Sequence, residues 1–183
     1  MLQPTAKTPL TLAAVLGVAL LSACAEKPAT TEKAAKKALA VMNATAGNNV
    51  QGKIALTERS DGVDLQITLT GLQPDSEHGF HVHENGDCSA ADGKSAGGHY
   101  APGNMQHGAP GDAKRHEGDL GNIMADSDGR VTSKKVDKRI TLSGPNTVVG
   151  KAFIVHAGAD DFTSQPSGAA GARVACGVIK ASN

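Results

Sequence analysis

Seven histidines among 183 residues include a pair separated by one residue, in Gly79-Phe80-His81-Val82-His83. On a β-strand that spacing turns both imidazoles to one face and Phe80 and Val82 to the other. A core-facing Phe/Val side would then hold two rigid imidazoles beside one metal ion. Alone, the pair reads more simply as two solvated strand histidines. The company it keeps changes that reading. His99, His107 and His116 follow within 84–117, and His156 ends a later apolar run. Asp119 stands three residues after His116, a carboxylate at ligand spacing. Imidazole suits zinc and copper, and a mixed His/Asp set suits zinc.

Short strands must position these groups. Val50, Gly52, Ile54 and Leu56 alternate with polar residues, and Val63, Leu65, Ile67 and Leu69 do so more cleanly. Arg59-Ser60-Asp61-Gly62 between them predicts a hairpin turn. Further strands are predicted at Asp119–Ile123, Arg130–Val136, around Ile140-Thr141-Leu142, at Lys151–His156 and at Arg173–Lys180. Residues 84–117 and 157–172 are long, Gly-rich loops, and loops of that length in a compact domain are usually functional. Gly is frequent at 22 residues and aromatics are few, so the core must come from Val, Ile, Leu and Ala. No repeat and no long helix is visible. An all-β, eight-stranded antiparallel Greek-key barrel or sandwich with two long functional loops follows.

The amino terminus is of another kind. Leu10–Leu21 is an apolar run too short for a membrane span but suited to a signal peptide. It ends in Leu21-Ser22-Ala23-Cys24, which resembles a bacterial lipoprotein signal. Cleavage would leave Cys24 as a lipidated amino terminus, anchored to a membrane through its acyl chains. We expect a signal peptide over 1–23, lipidated Cys24 and a flexible tether over 24–47 with transient helix near Glu32–Met42, and one domain over 48–183. Ala25 rather than Asp after the cysteine favours the outer membrane, and hence the periplasmic side of a bacterial cell envelope. Export places Cys88 and Cys176 in an oxidising compartment, where a disulfide between them is expected. Lys and Arg number 18 and so do Asp and Glu. No basic block is dense enough for nucleic acid.

Four motifs, in order, carry a resemblance: Gly79-Phe80-His81-Val82-His83, Gly98-His99-Tyr100, His116-Glu117-Gly118-Asp119-Leu120-Gly121-Asn122 and Gly171-Ala172-Arg173-Val174-Ala175-Cys176-Gly177-Val178-Ile179. Over 48–181 the chain resembles the copper/zinc superoxide dismutase family. The resemblance implies copper ligands at His81, His83, His99 and His156, and zinc ligands at His99, His107, His116 and Asp119, with His99 bridging. It implies that Asp160 links a copper-ligand histidine to a zinc-ligand histidine. It implies that Arg173 is the active-site arginine and that Cys88–Cys176 is the structural disulfide. The seventh histidine, His78, is expected to be structural.

The activity so implied is dismutation of superoxide to oxygen and hydrogen peroxide, protecting the cell envelope. The alternative is a non-catalytic copper/zinc-binding or copper-delivery module on the same scaffold. Such modules lack a copper ligand or the arginine, and here all are present. An adhesive sandwich lipoprotein would leave the histidines unexplained. The 157–172 loop has no Lys or Glu, so substrate steering is expected from Arg173 with Lys94, Lys114 or Arg115. The family resemblance also allows a homodimer, but the Ser89–Ala96 stretch departs from members whose loop makes the dimer contacts.

Overall fold

A computed structural model describes residues 36–182. The expected signal peptide, Cys24 and the start of the tether lie outside the described residues. Eight strands follow: β1 Lys37–Ala44, β2 Gln51–Arg59, β3 Gly62–Thr70, β4 Glu77–His83, β5 Asp119–Met124, β6 Val131–Asp137, β7 Ala152–His156 and β8 Arg173–Ser182. They pair antiparallel in the order β5-β4-β7-β8-β1-β2-β3-β6. Lys135 on β6 donates to the Leu120 carbonyl on β5, so the two ends of the sheet meet and the barrel is nearly closed. The β3–β4 and β6–β7 connections cross to non-neighbouring strands, as in a Greek key. The expected all-β barrel with two long loops is therefore the observed fold.

Alternation builds the interior. Val63, Leu65, Ile67 and Leu69 of β3 are buried, as are Ile54 and Leu56 opposite them on β2. Each such side chain contributes roughly 1.5–3 kcal/mol on leaving water. Arg59 pairs with Gly62 across a two-residue turn, as the turn signal predicted. Phe80 of β4 and Phe153 of β7 stack with ring centroids 5.0 Å apart. This stack anchors the face of β4 opposite to its histidines.

Two expectations are corrected. The tether predicted over 24–47 gives way at Lys37 to β1, which pairs with both β2 and β8. Ala38, Ala40 and Met42 point inwards and are buried, while Leu39 and Val41 point outwards. The buried face is mostly alanine, so the period of two carries little apolar contrast and reads as tether or helix. Gly177 on β8 makes room for Met42, because a Cβ there would lie 2.5 Å from the Met42 sulfur. The strand predicted at Ile140-Thr141-Leu142 does not form and leaves only an isolated bridge between Thr141 and Thr147. Asp137 Oδ1 accepts the backbone N–H groups of Arg139 at 2.8 Å and Ile140 at 3.0 Å. That side chain closes a turn where strand pairing would have continued.

Candidate metal centre

β4 delivers His81 and His83 to the outer face of the barrel wall, where both are buried beneath the two loops. A register shift in β4–β5 pairing falls between Gly79 and His81. Another in β7–β8 pairing falls between Val155 and His156. Bulges of this kind re-aim side chains, and His156 meets the β4 pair with its ring 5.0 Å from that of His81. Gly79 keeps the approach open, since a Cβ there would lie 2.8 Å from Ala170 Cβ and 3.1 Å from His81 Cε1. The first loop brings His99 against His83 through an isolated bridge.

Two groups of ligand atoms result. His81, His83, His99 and His156 form one; His99, His107, His116 and Asp119 form the other. Within each, the ligand atoms lie within 4.8 Å of one another. His81 Nδ1, His83 Nε2, His99 Nε2 and His156 Nε2 are all buried without a hydrogen-bond partner. Four orphaned nitrogens on four fixed rings suit a cation. In the second group three ring nitrogens surround one carboxylate oxygen. Asp119 Oδ1 lies 2.7 Å from His99 Nδ1, 3.0 Å from His107 Nδ1 and 3.0 Å from His116 Nδ1. His99 thus gives one ring nitrogen to each group. These are the side chains that the sequence singles out, and the fold brings them together.

Partners behind the rings fix their orientation, as they do around metal sites. His83 Nδ1 donates to the Gly97 carbonyl at 2.9 Å, and His156 Nδ1 to the Gly171 carbonyl at 3.1 Å. Asp160 joins the two groups: Oδ2 accepts from His81 Nε2 at 2.8 Å, and Oδ1 from His107 Nε2 at 2.9 Å. His78 is buried and bonds the His156 carbonyl at 2.8 Å, a structural role as expected.

The electrostatics match. Burial, followed by repulsion from neighbouring rings, lowers the His83 pKa well below the usual value and His156 to about 3. Burial also lowers His99 to about 4, although its bond to Asp119 opposes this. All three rings are thus neutral and ready to coordinate near pH 7. Burial disfavours a charge on His107 too, but its hydrogen bonds to Asp119 and Asp160 outweigh this and raise it to about 9. Burial pushes Asp119 and Asp160 upwards, yet the histidine bonds hold both well below the usual carboxylate range.

Above the first group a cavity of ≈ 400 Å³ is lined by His83, His99, His156, Pro166, Ser167 and Arg173, among others. Arg173 donates to the carbonyls of Gly93 at 2.7 Å and Gly97 at 2.6 Å. Cys88 and Cys176 form the expected disulfide, with Cα atoms 5.7 Å apart. One expected steering cation is corrected. Arg115 is buried, bonded to Asp137 Oδ2 at 2.6 Å and to four backbone carbonyls, so it holds the loop and does not face substrate. Sequence reasoning also missed Gly168. It sits at φ +71°, where a Cβ would strike Asp160 Oδ1 and come within 2.6 Å of His107 Nε2. No pattern marks it in the sequence, where it stands in Ser167-Gly168-Ala169-Ala170-Gly171.

The family profile of copper/zinc superoxide dismutase (SODC) matches residues 50–179. The crystal structure of the clock protein EA4 superimposes with a TM-score of 0.73 at 42% identity, covering 81% of this chain and 96% of that one. The chain belongs to the copper/zinc superoxide dismutase family.

Proposed function

We propose that this member of the copper/zinc superoxide dismutase family converts superoxide to oxygen and hydrogen peroxide. In this reading copper is held by His81, His83, His99 and His156, and zinc by His99, His107, His116 and Asp119. Bound copper would supply a one-electron redox couple, and bound zinc a fixed charge on the far side of His99.

The chain's own residues do the rest. Arg173, at the rim of the cavity, keeps a permanent guanidinium even though burial lowers its pKa. Two of its donors are committed to loop carbonyls, which leaves the others free to attract and orient a small anion. The cavity of ≈ 400 Å³ has room for a diatomic ion, and Pro166 and Ser167 line it from the second loop. His99 Nε2 faces the first group and can hold a proton there, then release it to the departing peroxide. The rigid β4 and β7 backbones keep the other three rings in place throughout the cycle.

One observation carries the proposal. Both ligand groups are complete and Arg173 borders the cavity above the first. A metal-delivery module would have no need of an anion-binding cation above its ligands. The experiment is a pulse-radiolysis measurement of superoxide decay by protein loaded with copper and zinc. Decay accelerated over buffer, and lost in His81→Ala, supports the enzyme. Full metal loading without acceleration leaves only the binding module. We further place the protein in the bacterial envelope, anchored by lipid on Cys24, on the strength of the Leu10–Leu21 run and the Leu-Ser-Ala-Cys sequence. Mass spectrometry of the mature amino terminus tests this.

A further inference from the structure

The two long loops meet at a pair of side-chain amides that the metal reading does not use. Gln165, in the second loop, grips the backbone of His107, in the first. Its Oε1 accepts the His107 N–H at 2.9 Å, and its Nε2 donates to the His107 carbonyl at 2.9 Å. Asn122 on β5 does the same to Asp160: Nδ2 donates to the Asp160 carbonyl at 3.0 Å, and Oδ1 accepts its N–H at 2.8 Å. The 2.9 Å bond between the His107 ring and the Asp160 carboxylate is therefore clamped from both ends. Gly168 packs directly against that bond. The backbone of 161–168 is folded round it by Asp161 N–H to Gly168 carbonyl and Gly168 N–H to Ser164 carbonyl contacts, at 2.9 and 2.7 Å.

We propose that Gln165 is a positioning residue: its grip on the His107 peptide sets the direction of that ligand and passes zinc binding at His107 on to the order of the second loop. The inference rests on the zinc assignment made above. The physics is direct. A paired amide on a partly buried backbone fixes both position and rotation of that peptide, and with it the direction of the His107 ring. Gln165 is followed at once by Pro166 and Ser167, which line the cavity. Freeing His107 from Gln165 frees the cavity wall, and freeing the wall lets His107 swing. By linkage, whatever free energy the order of 161–168 adds to zinc binding, zinc adds to the order of 161–168.

The test uses Gln165→Met, which keeps volume and length but removes both hydrogen bonds, with Gln165→Ala beside it. Zinc affinity is read by competition with a chromophoric chelator. Cobalt(II) in the same site reports ligand geometry through its visible absorption, which a general loss of stability would leave unmoved. Hydrogen exchange of 161–168 is followed with and without zinc. In the parent, zinc should slow exchange across 161–168. In both variants the zinc dissociation constant should rise about tenfold, the cobalt bands should shift, and zinc should no longer protect the loop. Parent-like affinity and protection in Gln165→Met would overturn the inference while leaving the zinc assignment standing, whatever Gln165→Ala does. A parent chain that binds neither zinc nor cobalt would overturn the assignment and the inference together.

Discussion

His83 and Arg173 share one acceptor, the carbonyl oxygen of Gly97, at 2.9 Å from His83 Nδ1 and 2.6 Å from an Arg173 guanidinium nitrogen. A ligand of the first group and the anion-binding cation are thus indexed to the same backbone atom. Replacing Arg173 removes the cation but leaves His83 its bond. We expect Arg173→Glu to slow superoxide decay by more than tenfold, because a fixed charge aimed at the reacting anion is commonly worth that much. Copper and zinc content, read by elemental analysis of the same sample, should match the parent. Loss of metal along with rate would make Arg173 a structural brace.

Gly97 holds its place because its loop is bound to β8 by Cys88–Cys176, 88 residues apart in sequence, and Arg173 lies on the same strand. By chain entropy a loop of that length contributes about 4–5 kcal/mol, with the usual reduction in practice. Cys88→Ser with Cys176→Ser should therefore lower the unfolding free energy, read from urea titration, by most of that amount. It should also slow catalysis in the fraction that stays folded, since the Gly93 and Gly97 carbonyls lose their tether. A double variant that is destabilised yet fully active would show that the loop finds its place without the disulfide.

How far these relationships could be read in the sequence depends on the signal each residue carries. His81 and His83 were legible, because a strand period puts them on one face and Phe80 and Val82 on the other. Asp119 was legible by its spacing from His116. Strand β1 was not, because its buried positions are Ala38, Ala40 and Met42 and alanine marks neither face. Arg115 was misjudged because a charged residue in a polar loop reads as exposed; only the fold shows carbonyls gathered around it. Gln165 and Gly168 carry no pattern at all, since their partners lie in the other loop or in side chains packed around it.

Asp160 is the joint between the ligand groups. Its two oxygens serve two rings, whereas an asparagine offers one acceptor and one donor. Asp160→Asn must leave either His81 or His107 facing an N–H. Partners of this kind typically change metal affinity by 10–100-fold. We expect zinc to be lost first on dialysis against a chelator, with copper retained longer on four converging histidines. Equal retention of zinc by Asp160→Asn and parent would remove Asp160 from this role.

The titration of the metal-free protein has two signs. His83, His99 and His156 are held neutral by burial, His99 with a pKa of about 4 and His156 of about 3. An unfolded histidine titrates near 6.5. Their stabilisation is thus present above about pH 6.5 and is lost as pH falls towards 4, with a slope of up to about 4 kcal/mol per pH unit for three groups. His107 runs the other way. Raised to about 9, its contribution is full below about 6.5 and lost as pH rises through 9. The metal-free protein should therefore be most stable near neutrality, with a urea midpoint that falls from pH 7 to pH 5. Zinc must displace the His107 proton, so binding at pH 7 should release about one proton, and affinity should rise about tenfold per pH unit up to 9. Calorimetry in buffers of different ionisation heat measures the release, and zero protons would contradict the state assigned to His107.

Arg115 makes the last prediction, because the same residue could be a steering cation or an internal brace. Its donors reach the carbonyls of Pro110, His116, Glu117 and Asp119, and Asp137 Oδ2 on β6. Three of those carbonyls lie within the His116–Asp119 turn that supplies two ligands. Asp137→Asn strips the buried guanidinium of its counter-charge and should cost about 3–5 kcal/mol. Arg115→Lys keeps the charge but cannot satisfy five acceptors with three donors. If Arg115 steered substrate, the lysine variant would keep both its zinc and the salt dependence of its rate. As a brace, it should lose zinc affinity by tenfold or more, while the salt dependence of the remaining activity stays at the parent value. Zinc competition separates the two, since lysine keeps the charge and the salt dependence is the same under either reading.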